Sequence, residues 1–187
     1  PPPAKTGFFS GLFGPKDPNA GVITLPGGEQ ITPDMLLKQG YCPPVQIRAG
    51  TESFMVYERQ HEDDPAYVRF QASLGETARE CHPTAAGDGL TVKLGVTGRL
   101  IAGPKGGQGT ASLPLRVAVV KQHGGTVLFT KAYKVPVTVR APQYFGDFAQ
   151  VIDDIAFKVG PDDRDLVIYV GYDEGKPKPK TPPPLGY

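Results

Sequence analysis

Two cysteines, three histidines and three runs of carboxylates are the residues through which this chain could do chemistry. A zinc site needs about four nitrogen or sulfur ligands at short spacings. Cys42 and Cys81 form no CxxC, and no third or fourth soft ligand follows at zinc spacing. Metal is therefore discounted, and a disulfide or two buried thiols remain. If bonded, the pair would remove denatured-state entropy worth roughly 3–4 kcal/mol in the chain-entropy model. It would also place the chain in an oxidising compartment.

The other candidates are weaker. His61, His82 and His123 all fall in expected loops, outside any GxSxG, HExxH or Cys–His pattern, and read as solvated side chains. Calcium takes six to eight oxygens. None of Glu62-Asp63-Asp64, Asp153-Asp154 or Asp162-Asp163 with Asp165 has the DxDxDG order, and Arg164 can pair locally within its turn. The run Gly103–Gly109 (GPKGGQG) lacks the GxxxxGK[ST] order of a phosphate loop and reads as a flexible connection. Eight tyrosines could include a sugar platform, although the chain has no Trp. No cofactor and no metal are expected, and the chain is read as non-enzymatic. A hydrolase site assembled from loops is the least favoured alternative.

The elements that would position these residues are strands. The stretch Thr91–Arg140 reads as three consecutive strands, the expected core sheet. Val92, Leu94 and Val96 alternate in the first, and Leu113, Leu115, Val117 and Val119 in the second. The third carries Val127 and Phe129, then Val135, Val137 and Val139. A period of two marks a sheet with one buried face. Pro114 and Pro136 each remove a backbone donor, which predicts edges or changes of sheet. The turn Gln122–Gly125 (QHGG) predicts a hairpin with positive φ at its glycines. Upstream, Val45 and Ile47, then Phe54 and Val56, alternate with polar neighbours. Val68, Phe70, Ala72 and Leu74 do so most clearly, and Gly75 predicts a bulge before the chain reaches Cys81. Residues 141–160 have a mixed period and predict a loop or helical turn, with a strand only over 155–159. Leu166, Ile168 and Val170 give a last strand.

Gly 24 and Pro 21 together are close to a quarter of the 187 residues, which fits many turns and irregular ends. Charge is balanced, with Lys+Arg 20 against Asp+Glu 19, so a nucleic-acid backbone is not the expected partner. No apolar run approaches the ~18 residues of a membrane helix. Pro1 is the first residue, as in a mature secreted protein, a lipoprotein or a trimmed chain.

The expected organisation is an extended arm over 1–20, a β-sandwich over 21–173 and a polyproline-like tail over 174–187. A strand at Gly21–Leu25 precedes a short helix over about 33–39, with Thr32 as N-cap, Pro33 at its first position and Gly40 ending it. Phe8, Phe9, Leu12 and Phe13 would share one side of a helical turn. They either fold onto the core or insert into a partner or a lipid surface. With Pro182, Pro183, Pro184, Leu185 and Tyr187 of the tail they are the candidate partner-binding residues.

Short strands, many turns and few helices predict an all-β, antiparallel sandwich. In texture it resembles immunoglobulin-like or fibronectin-like domains. It departs from a true immunoglobulin domain in lacking Trp and in its short Cys42–Cys81 spacing. The Pro-rich start, single cysteine pair and β-rich body also resemble envelope lipoproteins of alphaproteobacteria. That resemblance implies a periplasmic or outer-membrane location, an upstream lipid anchor, and a structural or accessory role among proteins of a multi-subunit envelope complex. The alternative is a ligand- or carbohydrate-binding sandwich, stabilised by Ca2+, that works through its sheet-end loops.

Overall fold

A computed structural model describes residues 23–24, 30–31, 41–160, 163–173 and 175. The arm over 1–20, the helix over 33–39 and the tail over 176–187 lie outside the described residues. So do Phe8, Phe9, Leu12, Phe13, Pro182, Pro183, Pro184, Leu185 and Tyr187.

Ten strands follow in chain order: β1 (Ile23–Thr24), β2 (Gln30–Ile31), β3 (Val45–Ile47), β4 (Ser53–Tyr57), β5 (Val68–Pro83), β6 (Gly89–Ala102), β7 (Gly109–Lys121), β8 (Val127–Val139), β9 (Phe145–Lys158) and β10 (Leu166–Tyr172). A single 3-10 turn at Pro65–Tyr67 is the only helical element among the described residues; Asp64 caps it by accepting from the Ala66 backbone N–H at 3.0 Å. β1 and β2 pair by themselves. The other eight make two four-stranded sheets, β3-β10-β7-β8 and β4-β5-β6-β9. All pairs in these sheets are antiparallel except β3 with β10, which is parallel.

The alternating residues explain why the sheets face each other. Leu90, Val92, Leu94, Val96 and Leu100 of β6 are buried, as are Leu113, Leu115, Val117 and Val119 of β7. Phe70 and Ala72, Val135, Val137 and Val139, and Leu166, Ile168 and Val170 join them in one core shared by both sheets. Each Val, Leu, Ile or Phe among them contributes about 1.5–3 kcal/mol when fully buried.

The three-strand stretch is corrected in one respect. β6 and β7 are consecutive but lie in different sheets, so Thr91–Arg140 is not one core sheet. A period of two reports which face is buried and not which sheet a strand joins. The connection 103–108 is the crossover, and it is pinned rather than flexible. Gly103 N–H donates to the Arg69 carbonyl at 2.8 Å and Lys105 N–H to the Val68 carbonyl at 3.0 Å. A Cβ on Gly106 would sit 1.9 Å from the Arg69 carbonyl oxygen, so this backbone approach requires glycine.

The prolines sit where their missing donors cost little. The Pro114 carbonyl accepts from Asp173 N–H at 2.8 Å, beyond the end of β10 at Tyr172. Pro114 therefore points its polar groups away from β8. Pro136 stands opposite Ser112, two ladder positions on, and points outward from edge strand β8.

Residues 145–158 form one long strand, not a loop or helical turn. Leu94 pairs with Ile152 and Val92 with Ile155, so Asp153 and Asp154 together oppose Lys93. This bulge spaces Ile152 and Ile155 three apart and imitates a helical period. The expected bulge at Gly75 is present: Gly75 and Glu76 oppose Thr97. Thr97 Oγ1 accepts from Glu76 N–H at 2.8 Å and donates to the Glu76 carbonyl at 3.2 Å, satisfying the interrupted ladder. The hairpin glycines behave as expected, Gly124 at φ 82 and Gly125 at φ 66.

Candidate functional site

Cys42 and Cys81 are joined in a disulfide with Cα atoms 5.7 Å apart. Cys42 precedes β3 of one sheet and Cys81 lies on β5 of the other, so the bond staples the two sheets. Arg79 donates to the Cys42 carbonyl at 3.4 Å beside it.

The histidines and carboxylates do not converge. His61 stacks on Tyr67, with centroids 3.7 Å apart. His82 lies on β5 rather than in a turn, and its Nε2 is 2.8 Å from Glu80. In the β7–β8 turn, His123 places both its backbone N–H and Nδ1 3.0 Å from Asp165 Oδ2. Those contacts, the backbone N–H first, hold the Asp165 carboxyl below its usual range. Asp163 is lowered chiefly by Lys121, whose Nζ is 2.6 Å away, and then by the Gly160 N–H. Asp154 is bound by Lys131 and, at 2.6 Å, by the Tyr133 hydroxyl. Burial first, then Asp154, pushes the Tyr133 phenol up. Among the described residues no three His, Cys, Asp or Glu side chains gather as metal ligands would.

Among the described residues, one concave feature is a cleft of about 810 Å³ where the chain passes from β3 to β4. Residues 48–51 run beside β10: Arg48 N–H donates to the Val170 carbonyl, and the Thr51 carbonyl accepts from Tyr172 N–H. A Cβ on Gly171 would meet Thr51 Oγ1 at 1.9 Å, so the crossover lies directly on β10. Arg48, Thr51, Arg116, Tyr169 and Asp173 line it together with Met55, Tyr57, Glu62 and Asp63. Arg116 grips Asp173 Oδ2 with Nε at 2.8 Å and Nη2 at 2.6 Å, and donates Nη1 to Thr130 at 3.2 Å. That grip, above all, lowers the Asp173 carboxyl. The Tyr57 hydroxyl donates to Met55 Sδ at 3.3 Å.

Tyr172 also contributes to the cleft. It is 3 % exposed, packs against Phe54 at 5.8 Å, and its hydroxyl has no hydrogen-bond partner. Burial raises this phenol's pKa.

A second surface lies on the outer face of the β4-β5-β6-β9 sheet. Met55 pairs with Gln71, Gln71 with Ile101, and Ile101 with Phe145, forming one row across four strands. Met55, Ile101 and Phe145 are 40 %, 46 % and 39 % exposed. Arg99 lies 4.6 Å from the Phe145 ring centroid and is held by Asp147 through two bonds at 2.6 and 3.1 Å.

The structure thus joins Cys42 to Cys81. Of the eight tyrosines it brings Tyr57, Tyr169 and Tyr172 together at the cleft. Tyr41 is elsewhere, exchanging hydrogen bonds with the Leu166 backbone, and Tyr133 serves the Asp154 link. Arg48, Arg116 and Asp173 carried no sequence signal, because outward residues of strands and turns look alike whether or not a fold gathers them. No family model, no curated protein and no solved structure matches this chain.

Proposed function

We propose that this chain is a non-enzymatic structural or accessory component of a cell-envelope assembly, in the periplasm or at the outer membrane. The two-sheet domain serves as a rigid body. Residues 1–20 and 174–187 dock to partner proteins of the complex, and an upstream lipid attaches the chain to the membrane. The observation that carries this reading is the Cys42–Cys81 disulfide between the sheets. Such bonds form and persist in oxidising compartments such as the periplasm. The exposed Met55–Ile101–Phe145 row supports a partner contact on the domain itself, since apolar patches on soluble domains mark interaction sites. The test is to delete 1–20 and 174–187 and compare what co-purifies from the envelope. Loss of partners is expected, and retention of all of them would refute docking through the arms.

We also infer an immunoglobulin-like layering, two sheets over one core with a bond between them. The strand order departs from the immunoglobulin pattern, because the last two strands, β9 and β10, fall in different sheets.

The cleft favours a second reading, a carbohydrate- or ligand-binding module. Tyr57 and Tyr169 supply aromatic surface, and the Arg116–Asp173 pair supplies fixed polar groups. Glycan-array binding lost in Tyr169→Ala would support it, as would a Ca2+-dependent rise in melting temperature for its calcium component. Silence in both assays would remove it.

A further inference from the structure

The β3–β4 cleft has the make-up of a polyproline groove. Polyproline II segments dock between aromatic side chains because they are already extended and lose little entropy on binding. Tyr57 and Tyr169 supply aromatic side chains to the cleft lining, with Met55 beside Tyr57. The chain carries a matching segment, KPKPKTPPPLGY at 176–187. Gly175, the residue immediately before it, is itself part of the cleft lining. There the backbone turns at φ 80, with Gly175 N–H donating to Asp173 Oδ1 at 3.1 Å. Charge also matches. The cleft has two arginines against three carboxylates, with the Arg116 charge already taken up by Asp173. Glu62 and Asp63 are exposed on the rim and face a segment carrying Lys176, Lys178 and Lys180.

We propose that the cleft binds the Pro-rich tail 176–187 of its own chain, with the tyrosines against proline rings and the rim carboxylates against the lysines. A directly joined segment has an effective concentration on the order of 1 mM, so even an affinity of about 100 µM would close the cleft about ten to one. Any external proline-rich or sugar ligand would have to displace the tail. The inference does not depend on where the protein resides, and a partner that docks the tail, as proposed above, would have to draw it out of the cleft.

Trypsin supplies the test on the full chain. Lys176-Pro177 and Lys178-Pro179 resist trypsin, so Lys180-Thr181 reports the tail. Cleavage there is expected to be about tenfold slower than in the free peptide 176–187. Glu62→Gln with Asp63→Asn, on the exposed rim, should restore rapid cleavage without changing the melting temperature. Tyr57→Ala should do the same, and millimolar free peptide should accelerate cleavage by competition. Equal rates in protein and free peptide would overturn the proposal. So would protection that both variants retain, which would place the tail elsewhere. Protection that grows with protein concentration would assign the cleft to the tail of a second copy instead.

Discussion

Replacing both Cys42 and Cys81 by alanine should cost about 4 kcal/mol of stability. The bond spans a sequence separation of 39. For a closed loop of that size the chain-entropy relation gives about 13 cal/mol/K, or about 4 kcal/mol at 25 °C. The position of the bond argues that most of this will be realised. The loop it closes contains β3, β4 and nearly all of β5, so it ties together strands of both sheets. In a chain of this length 1 kcal/mol moves the melting temperature by roughly 2–4 °C, which predicts a fall of roughly 8–16 °C. Thermal unfolding followed by circular dichroism measures the shift, and urea unfolding gives the free energy. The reduced wild type should match the double variant. A loss below about 1 kcal/mol, or a reduced wild type as stable as the oxidised one, would refute the view that this bond staples the sandwich.

Three further outcomes follow from the packing. Tyr172→Phe should raise stability by about 1 kcal/mol in urea unfolding with an unchanged m-value, because it removes a buried hydroxyl that has no partner; destabilisation would mean the hydroxyl is satisfied in solution. Gly106→Ala should cost about 1–3 kcal/mol in the same assay, since its Cβ would collide with the Arg69 carbonyl oxygen and lift the crossover off β5. A neutral result would show that the connection is not pinned. Asp147, Asp154, Asp163, Asp165 and Asp173 all have folded pKa values below their unfolded ones. Their stabilisation is complete above the unfolded value of about 3.9 and is lost as pH falls through the folded values. The melting temperature should therefore hold from pH 7 to 5 and drop below pH 4, less steeply in Asp173→Asn; an acid limb unchanged in that variant would remove Asp173 from the account.

The sequence made the faces of strands legible and left their partners hidden. Leu113 to Val119 and Val68 to Leu74 announced which side is buried, because burial imposes a period of two on one strand by itself. Sheet membership is set between strands, so β6 and β7 looked like neighbours although they lie in different sheets. The parallel pairing of β3 with β10 joins segments more than a hundred residues apart and leaves no local trace. Strand β9 was obscured by a single extra residue, since the Asp153-Asp154 bulge shifts the phase within the strand. The disulfide was open to anticipation from two cysteines and an absent metal motif. The cleft was not, because its walls come from residues 48–63, 116–118 and 169–175.

The two lateral sides of the sandwich are closed differently, and this difference explains where a cleft can exist. On one side β8 and β9 are long edge strands joined by the turn after Arg140, which also forms a bridge to Phe145. The bulge in β9 directs Asp154 to Lys131 and Tyr133 of β8, adding a polar link across the sheets. On the other side the edge strands are β3, only 3 residues long, and β4, of 5. Beyond Ile47 the edge of β10 is covered by the crossover 48–51 through single backbone bonds instead of a continuous strand. Here Thr51 lies on Gly171, and Tyr57 and Tyr169 line the space between crossover and loop. A short edge strand leaves backbone and apolar surface that a longer one would cover, and natural sheets shield such edges with loops or added chain. Gly175, after which the tail begins, lies in the cleft lining on this less protected side, which is why the tail is the occupant proposed for it.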